Sequence, residues 1–542
     1  MLSRRNLFTG AAGLGIAGAA AGQASFAATA EGPFKADWAS LAAQYRTPDW
    51  FRDAKFGLWA HWSAQCVPEA GDWYARNMYQ LGQRQYDHHL KTYGHPADTG
   101  FMEIDNLWKA ENWNPDELLD LYKDAGAKYF VALANHHDNF DNYASKFHDW
   151  NSTRVGPMKD LIGIWAKAAR ARGLKFGVSN HSAHAWHWFQ PAYGYDPEGP
   201  RAGERYDASR LTKYDGEGKW WEGLDPQELY AGAVMPMPDG IRSIAEGKAF
   251  HEAHDMVWDE KPPLNNPAFV RQWYLRCKDL IDSYQPDLVY FDNEELPLGQ
   301  AGLDIAAHYY NASLARTGKV DVVINAKRMT PDRRAAVVED VERGFRSGIE
   351  PLPWQTDTCI GEWHYNRERF EKKSYLGAEG VIHRLCDIVA KNGNLLLSIP
   401  VRGDGSIDAE ERKIVERIGS WTKRFGEAIY GTRPWTTAGE GPTEVAGGMF
   451  GESKLKGFTP QDIRFTTKAG ALYAMTLGRP GETVTIASLA KHAVRRVEVV
   501  GHPAPLAFRQ DAQGVHVTVP AGASHDFGVA LKITGKGLVA TA

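Results

Sequence analysis

Short apolar runs recur through residues 55–400 and end, again and again, in polar and aromatic side chains just before a helical stretch begins. KFGLWAHW (55–62) ends in His61 and Trp62, and AKYFVALANHHDNF (127–140) delivers Asn135, His136, His137 and Asp138. LKFGVSNHSAHAWHWF (174–189) delivers Asn180, His181, His184, Trp186 and His187. Runs of β-branched and aromatic residues bounded by turn signals read as buried strands. The segments between them, LLDLYKDAG (118–126) and LIGIWAKAARARG (161–173), are amphipathic and stop at glycine, as helices do. Alternating strands and helices whose polar residues gather at one end predict an α/β chain built as a (β/α)8-type barrel, with its chemistry on the C-terminal rim.

The fourth run, QPDLVYFDNEELP (285–297), carries the sharpest chemical signal. A buried strand that ends abruptly in Asp292-Asn293-Glu294-Glu295 puts carboxylates where the sheet opens to solvent, and Asp292 is the expected nucleophile. The plain alternative is that Asp292 only caps the following loop. DVVINAK (321–327) predicts the fifth strand, and RRAAVVEDVERG (333–344) holds a short sixth with Glu339, Asp340 and Glu342. TDTCIGEW (356–363) and NLLLSIP (394–400) supply the seventh and eighth. Residues 189–265 interrupt the rhythm with Gly, Pro, Asp and aromatic residues and no long periodic helix; an insertion of that length predicts a lid or wall over the barrel mouth. The barrel domain is expected to span 31–435. From 440 to 542, short alternating runs separated by Gly and Pro predict an antiparallel β-sandwich.

Composition removes several classes of function. A net charge of −5 with both signs dispersed gives no nucleic-acid surface, and no run is long and apolar enough for a spanning helix. The four cysteines, at 66, 277, 359 and 386, form no CxxC pair, so metal and redox motifs are not indicated and free buried thiols are expected. The first 30 residues, with Arg4-Arg5, Leu7, Phe8 and a Gly/Ala-rich stretch, read as a twin-arginine signal. They predict a periplasmic or secreted protein that is free of the membrane once the signal is removed. The 19 tryptophans exceed what a core alone needs, and aromatic faces suit the C–H faces of sugars.

Hydrolysis of a glycosidic bond needs two carboxylates, about 5–5.5 Å apart in a retaining enzyme. With Asp292 as nucleophile, the residues themselves leave the acid/base open among Glu339, Glu342, Glu350 and Glu294. His136-His137-Asp138 is a weak metal hint without further ligands at recognised spacing. Histidines at a barrel rim also suit hydrogen bonding to sugar hydroxyls.

KFGLWAHW, the Asp72-Trp73-Tyr74 loop, AGAKYFVALANHHDNF, GLKFGVSNH, QPDLVYFDN, WQTDTCIGEWHYN and NLLLSIPVRGDGSI resemble, in that order, blocks of the glycoside hydrolase family 29 α-L-fucosidases. The resemblance covers the barrel to about Gly431. It implies a retaining exo-hydrolase that releases terminal α-L-fucose from an oligosaccharide or polysaccharide, with neither cofactor nor metal. It places the nucleophile at Asp292 and, counted back from Trp354, the acid/base at Glu342, with Glu350 as runner-up. It assigns substrate binding to His61, Asp72, Trp73, His136 and His137, with His181, Tyr290 and Lys327 completing the set. This chain departs from the family pattern at Asp72, where the family often has Glu, and at Asn135, where Lys is common. A family tyrosine of the third strand is replaced near Asn180 or His181, and Lys327 replaces an arginine, keeping the charge without the planar fork. Two other functions stay open: an exo-α-L-galactosidase, because a pocket discriminates weakly against one added hydroxyl, and a non-catalytic carbohydrate-binding protein.

Overall fold

The eight runs form eight parallel strands that close on themselves. They are β1 (Phe56–Ala60), β2 (Tyr129–Asn135), β3 (Lys175–Asn180), β4 (Leu288–Glu294), β5 (Val323–Lys327), β6 (Val338–Asp340), β7 (Trp354–Cys359) and β8 (Gly393–Ser398). Closure is made by β8 against β1, with Phe56 opposite Leu395 and Trp59 opposite Ser398. The strands are buried on both faces by the surrounding helices, which is why they read as continuous apolar runs rather than alternating ones. The computed structural model describes residues 31–256, 258, 261–263, 266–502 and 504–539; the predicted export signal, 1–30, lies outside them.

The helices start and stop where the local chemistry directs. Asn114 accepts the Glu117 N–H at 3.2 Å ahead of Pro115, and Asn266 caps the 18-residue helix Pro267–Tyr284 in the same way. Asp408 and Glu411 form a capping box at the start of Ala409–Phe425. Buried side chains join this last barrel helix to the C-terminal region: the Trp421 indole donates to the Gly528 carbonyl at 3.0 Å.

The C-terminal part contains two antiparallel sheets. One has five strands, in the order β13 (Ala493–Val499), β16 (Ala530–Lys536), β11 (Ala471–Thr476), β10 (Ile463–Lys468), β9 (Arg433–Glu440); the other orders β12 (Thr483–Ile486), β15 (Gly514–Thr518), β14 (Phe508–Asp511). β9 spans the interval between the expected end of the barrel, 435, and the expected start of the sandwich, 440, and pairs with β10. All four cysteines are buried free thiols.

The 189–265 insertion is a wall built of short helical turns. Besides these it holds a 10-residue helix, Ile244–Ala253, that its composition did not suggest. It is riveted to the β1–β2 connection by buried polar contacts. Arg76 pairs with Asp255 at 2.5 Å, and Tyr79 donates to Asp207 at 2.8 Å. Breaking one partner of such a buried pair costs more than the pair contributes, so these contacts fix the wall's position.

Candidate active site

Two interruptions in the barrel register aim the site. Between β4 and β5, Tyr290 pairs with Asn325 but Glu294 pairs with Lys327, so β4 carries extra residues around Asp292. Between β2 and β3 the register shifts just ahead of His136. Such bulges turn side chains that a regular pleat would place elsewhere. Tyr290 and Asp292 of β4, Lys327 at the end of β5, Glu342 in the turn after β6 and Asp357 of β7 are brought together at the site.

These residues open into a cavity of about 540 Å³ at the barrel mouth. Asp292, Glu342 and Asp357 line it, with Lys327 between them, together with His61, His136, His137, His181, Trp59, Trp73, Trp258 and Trp363. The Lys327 ammonium contacts Asp292 and lies 2.5 Å from Glu342 Oε2. Since one nitrogen reaches both, these two carboxylate oxygens are no more than about 5 Å apart, close to the spacing a retaining glycosidase uses.

The nucleophile candidate is held ionised. Burial works to raise the Asp292 carboxyl, but Lys327, His181 and His137 outweigh it and hold it well below the usual carboxylate range. His181 Nδ1 lies 3.2 Å and His137 Nε2 3.3 Å from Asp292 Oδ2. In the same cavity, burial pushes the Asp357 carboxyl up to about 7, with Glu342 and Asp292 adding to it and Lys327 and the Tyr290 hydroxyl opposing. Tyr290 donates that hydroxyl to Asp357 at 2.6 Å. Burial and Asp357 also hold Asp340 well above the ordinary range. Four carboxyl groups around one ammonium cannot all ionise together, so this cluster retains protons near neutrality.

The histidines are neutral hydrogen-bonding groups. Burial lowers His61 and His136 well below the usual value, and brings His137 down to about 4 against the pull of Asp292. Gln65 fixes one tautomer: its amide donates to His136 Nδ1 at 2.9 Å and to Asp138 at 2.8 Å while its carbonyl accepts the Ala75 N–H. His136 therefore keeps its proton on Nε2. Neither ring nitrogen of His61 has a hydrogen-bond partner among the described residues, though the ring is buried and lines the cavity, while His364 packs edge-on behind His61 and His136 with its Nδ1 3.4 Å from Asp72 Oδ1. Unsatisfied buried polar atoms facing a cavity are sites for ligand hydroxyls. His61, His136 and His364, and likewise His136, His137 and His181, bring ring nitrogens within 4.8 Å of one another, but His136, common to both groups, has no free lone pair in the tautomer that Gln65 fixes.

Several expectations change. Glu350 is not at the site: Arg334 holds it at 2.9 Å and Arg346 at 3.7 Å, because the chain after Glu342 turns away toward Lys391. Glu339 is drawn into the same arginine cluster, and points away from Asp340 and Glu342 by strand alternation. Asp72 lines the cavity, but its two oxygens accept the backbone N–H groups of Trp363 and His364 at 3.2 and 2.7 Å. It positions that loop as well as facing the cavity. Trp73 adopts a left-handed backbone at φ 60° beside Gly71, where a Cβ would collide with Glu362. Tyr290 presents its ring to the cavity while its hydroxyl is spent on Asp357.

Sequence reasoning missed Asp357, Trp363 and His364 as site residues, and Trp258 from the insertion. The available signal was Asp357 itself, an acid inside a fully buried strand, a placement that ordinarily requires a partner or a function. Trp363 and His364 are brought in by Asp72, 291 and 292 positions away, which no local pattern shows.

Comparison with known proteins places the chain by family and fold. A family model described as alpha-L-fucosidase matches residues 21–427. The tissue alpha-L-fucosidase of Rattus norvegicus is 25% identical over 520 residues, 94% of each chain. The Homo sapiens tissue enzyme is 24% identical over 512 residues, covering 92% of this chain and 91% of its own. Among solved structures, Thermotoga maritima alpha-fucosidase matches with a TM-score of 0.66 at 25% identity, over 92% of this chain and 100% of that one. Its complex with fucose matches at 0.67, with 24% identity and the same coverage.

Proposed function

This chain belongs to the alpha-L-fucosidase family, glycoside hydrolases that release terminal α-L-fucose, and we propose that it does so by double displacement between Asp292 and Glu342. The observation that carries the reading is the convergence of these two carboxylates on the Lys327 ammonium inside a cavity walled by neutral histidines and tryptophans.

Asp292, ionised, attacks the anomeric carbon and forms a C–O bond as the glycosidic C–O bond breaks. Glu342 gives its proton to the departing oxygen. In the second step Glu342 takes a proton from water, the hydroxide adds to the anomeric carbon, and the Asp292 carboxylate leaves. Lys327 bridges both acids in the free enzyme, so Glu342 exchanges that contact for the glycosidic oxygen when substrate enters. His136 Nε2–H and His61 offer hydrogen bonds to the sugar hydroxyls, and Trp59, Trp73 and Trp363 supply its apolar walls.

Hydrolysis of an aryl α-L-fucoside tests the reading, with the aryl α-L-galactoside in parallel and EDTA as a control. Faster turnover of the fucoside, undiminished by chelator, is expected. Preference for the galactoside would overturn the assigned sugar, and loss of activity with EDTA would overturn the metal-free mechanism.

The pH dependence follows from the carboxyl cluster. Asp292 stays ionised deep into acid, and His137 stays neutral until about 4. Asp357 loses its proton through about 7 and adds negative charge beside Glu342, and like charges there resist loss of the next proton from the cluster. kcat/KM is therefore expected to hold from about pH 5 through neutrality and to fall only when the cluster gives up the proton the first step needs. Asp357→Asn keeps the Tyr290 contact but cannot supply that charge, so its alkaline limb moves downward by about one pH unit. An unmoved limb, or one moved upward, in a pH–rate profile would exclude this coupling.

We also propose export through the twin-arginine route. Arg4-Arg5 and the Gly/Ala-rich stretch after them support it, and a mature N-terminus after Ala27 or Ala30 in exported protein is the expected readout.

A further inference from the structure

A second cavity, also about 540 Å³, adjoins the first and shares Glu342, Trp363 and Phe450 with it. Its remaining lining comes from Arg343, Arg384, Glu452 and Ser453. Phe450, Glu452 and Ser453 do not belong to the barrel. They lie on the connection between β9 and β10, in the C-terminal sheets.

That connection is fastened to the barrel residue by residue. Phe345 and Gly448 exchange backbone hydrogen bonds of 3.3 and 2.8 Å, Phe450 N–H donates to the Glu342 carbonyl at 2.8 Å, and Glu452 N–H donates to the Arg343 carbonyl at 3.1 Å. A Cβ on Gly344 would lie 2.2 Å from the Gly448 carbonyl oxygen, so only glycine permits this approach. Glu452 accepts from Thr358 at 2.7 Å and pairs with Arg343. Phe450 is nevertheless 48% exposed and has a left-handed backbone at φ 56°. A bulky residue kept in that conformation with its ring half in solvent is not explained by packing.

We propose that this second cavity is the leaving-group subsite, and that the C-terminal domain builds its outer wall to hold the sugar from which fucose is cut. This rests on the assignment of Glu342 as acid/base. A residue that protonates the departing oxygen must face the leaving group, so the space beyond Glu342, away from the histidines, is where that group lies. The ligand class follows from the lining. Trp363 and Phe450 offer aromatic faces to the C–H face of a pyranose ring, while Arg343, Arg384, Glu452 and Ser453 surround it with donors and acceptors for its hydroxyls. The C-terminal domain then takes part in choosing the linkage.

The test compares α-L-fucosyl fluoride, which has no sugar as leaving group, with the α-L-fucosyl disaccharide that the full-length enzyme cleaves fastest among galactosides and N-acetylglucosaminides of different linkage. Phe450→Ala is expected to lower kcat/KM on the disaccharide about tenfold or more beyond any loss on the fluoride. Ser453→Trp, which fills the cavity rather than removing a contact, should show the same differential if alanine at 450 loosens the loop. Equal losses on both substrates, or none on the disaccharide in either variant, would overturn the subsite. An unmodified enzyme that fails to release fluoride would instead overturn the hydrolase mechanism on which the subsite rests.

Discussion

Asp292→Ala is expected to lower kcat on an aryl α-L-fucoside by about 10⁴-fold or more, roughly 5.5 kcal/mol of transition-state stabilisation, while the variant folds and still binds fucose. The bond that forms in the first step is made by this oxygen, and no neighbouring carboxylate can take its place. Asp357 is engaged by Tyr290, and Glu342 stands on the proposed leaving-group side. Lys327, His137 and His181 remain as the empty socket. On the proposed reading fucose is held by His61 and His136, which Asp292 does not hold, so Kd is expected to change far less than kcat. A loss of binding matching the loss of turnover would mean that Asp292 shapes the pocket rather than attacks the sugar. A small anionic nucleophile such as azide, entering the space left by the side chain, should restore part of the rate and return the β-fucosyl azide, because one displacement then replaces two.

Glu342→Ala is expected to show the opposite dependence on the leaving group. With a fucosyl disaccharide, whose departing alkoxide needs a proton, kcat/KM should fall about 10²- to 10⁴-fold. With a dinitrophenyl fucoside, which departs without one, bond cleavage should be nearly unaffected and the fucosyl-enzyme should accumulate, because no base remains to activate water. Azide needs no such base and should release the fucosyl-enzyme as the α-azide. The two azide products differ in stereochemistry, so together the variants separate nucleophile from acid/base in one assay format. Equal losses on good and poor leaving groups would remove Glu342 from that role. Glu350→Ala provides the contrast: its carboxylate belongs to Arg334 and Arg346 outside the cavity, and its loss should not alter the dependence on leaving group.

The barrel was legible because buried parallel strands must be apolar and must discharge their polar residues where the sheet opens. Asp292, His61, His136 and His137 were legible for the same reason, each standing at or just beyond a strand end. The acid/base was harder. β6 has three residues, too few for a periodic signal, and the glutamates at 339, 342 and 350 look alike in sequence. Only tertiary contacts separate them: Glu342, in the turn after β6, meets Lys327, whereas Glu339 is held by Arg334 and Arg346. The rest of the site is assembled over long chain separations: Asp72 seats Trp363 and His364, Asp357 answers to Tyr290, and Phe450 arrives from the C-terminal sheets. Contacts of that kind are written in tertiary packing, and local pattern carries no trace of them.

The central claim is that Asp292 forms a covalent bond to the sugar, and the most direct measurement is trapping that species. Incubation with 2-deoxy-2-fluoro-α-L-fucosyl fluoride, then proteolysis and mass spectrometry, should add one 2-deoxy-2-fluorofucosyl unit to the peptide containing residues 285–297, with fragmentation placing it on Asp292. Label on Glu342, Asp357 or any other residue, or steady turnover of the reagent by the wild-type enzyme with inversion and no adduct, would contradict it.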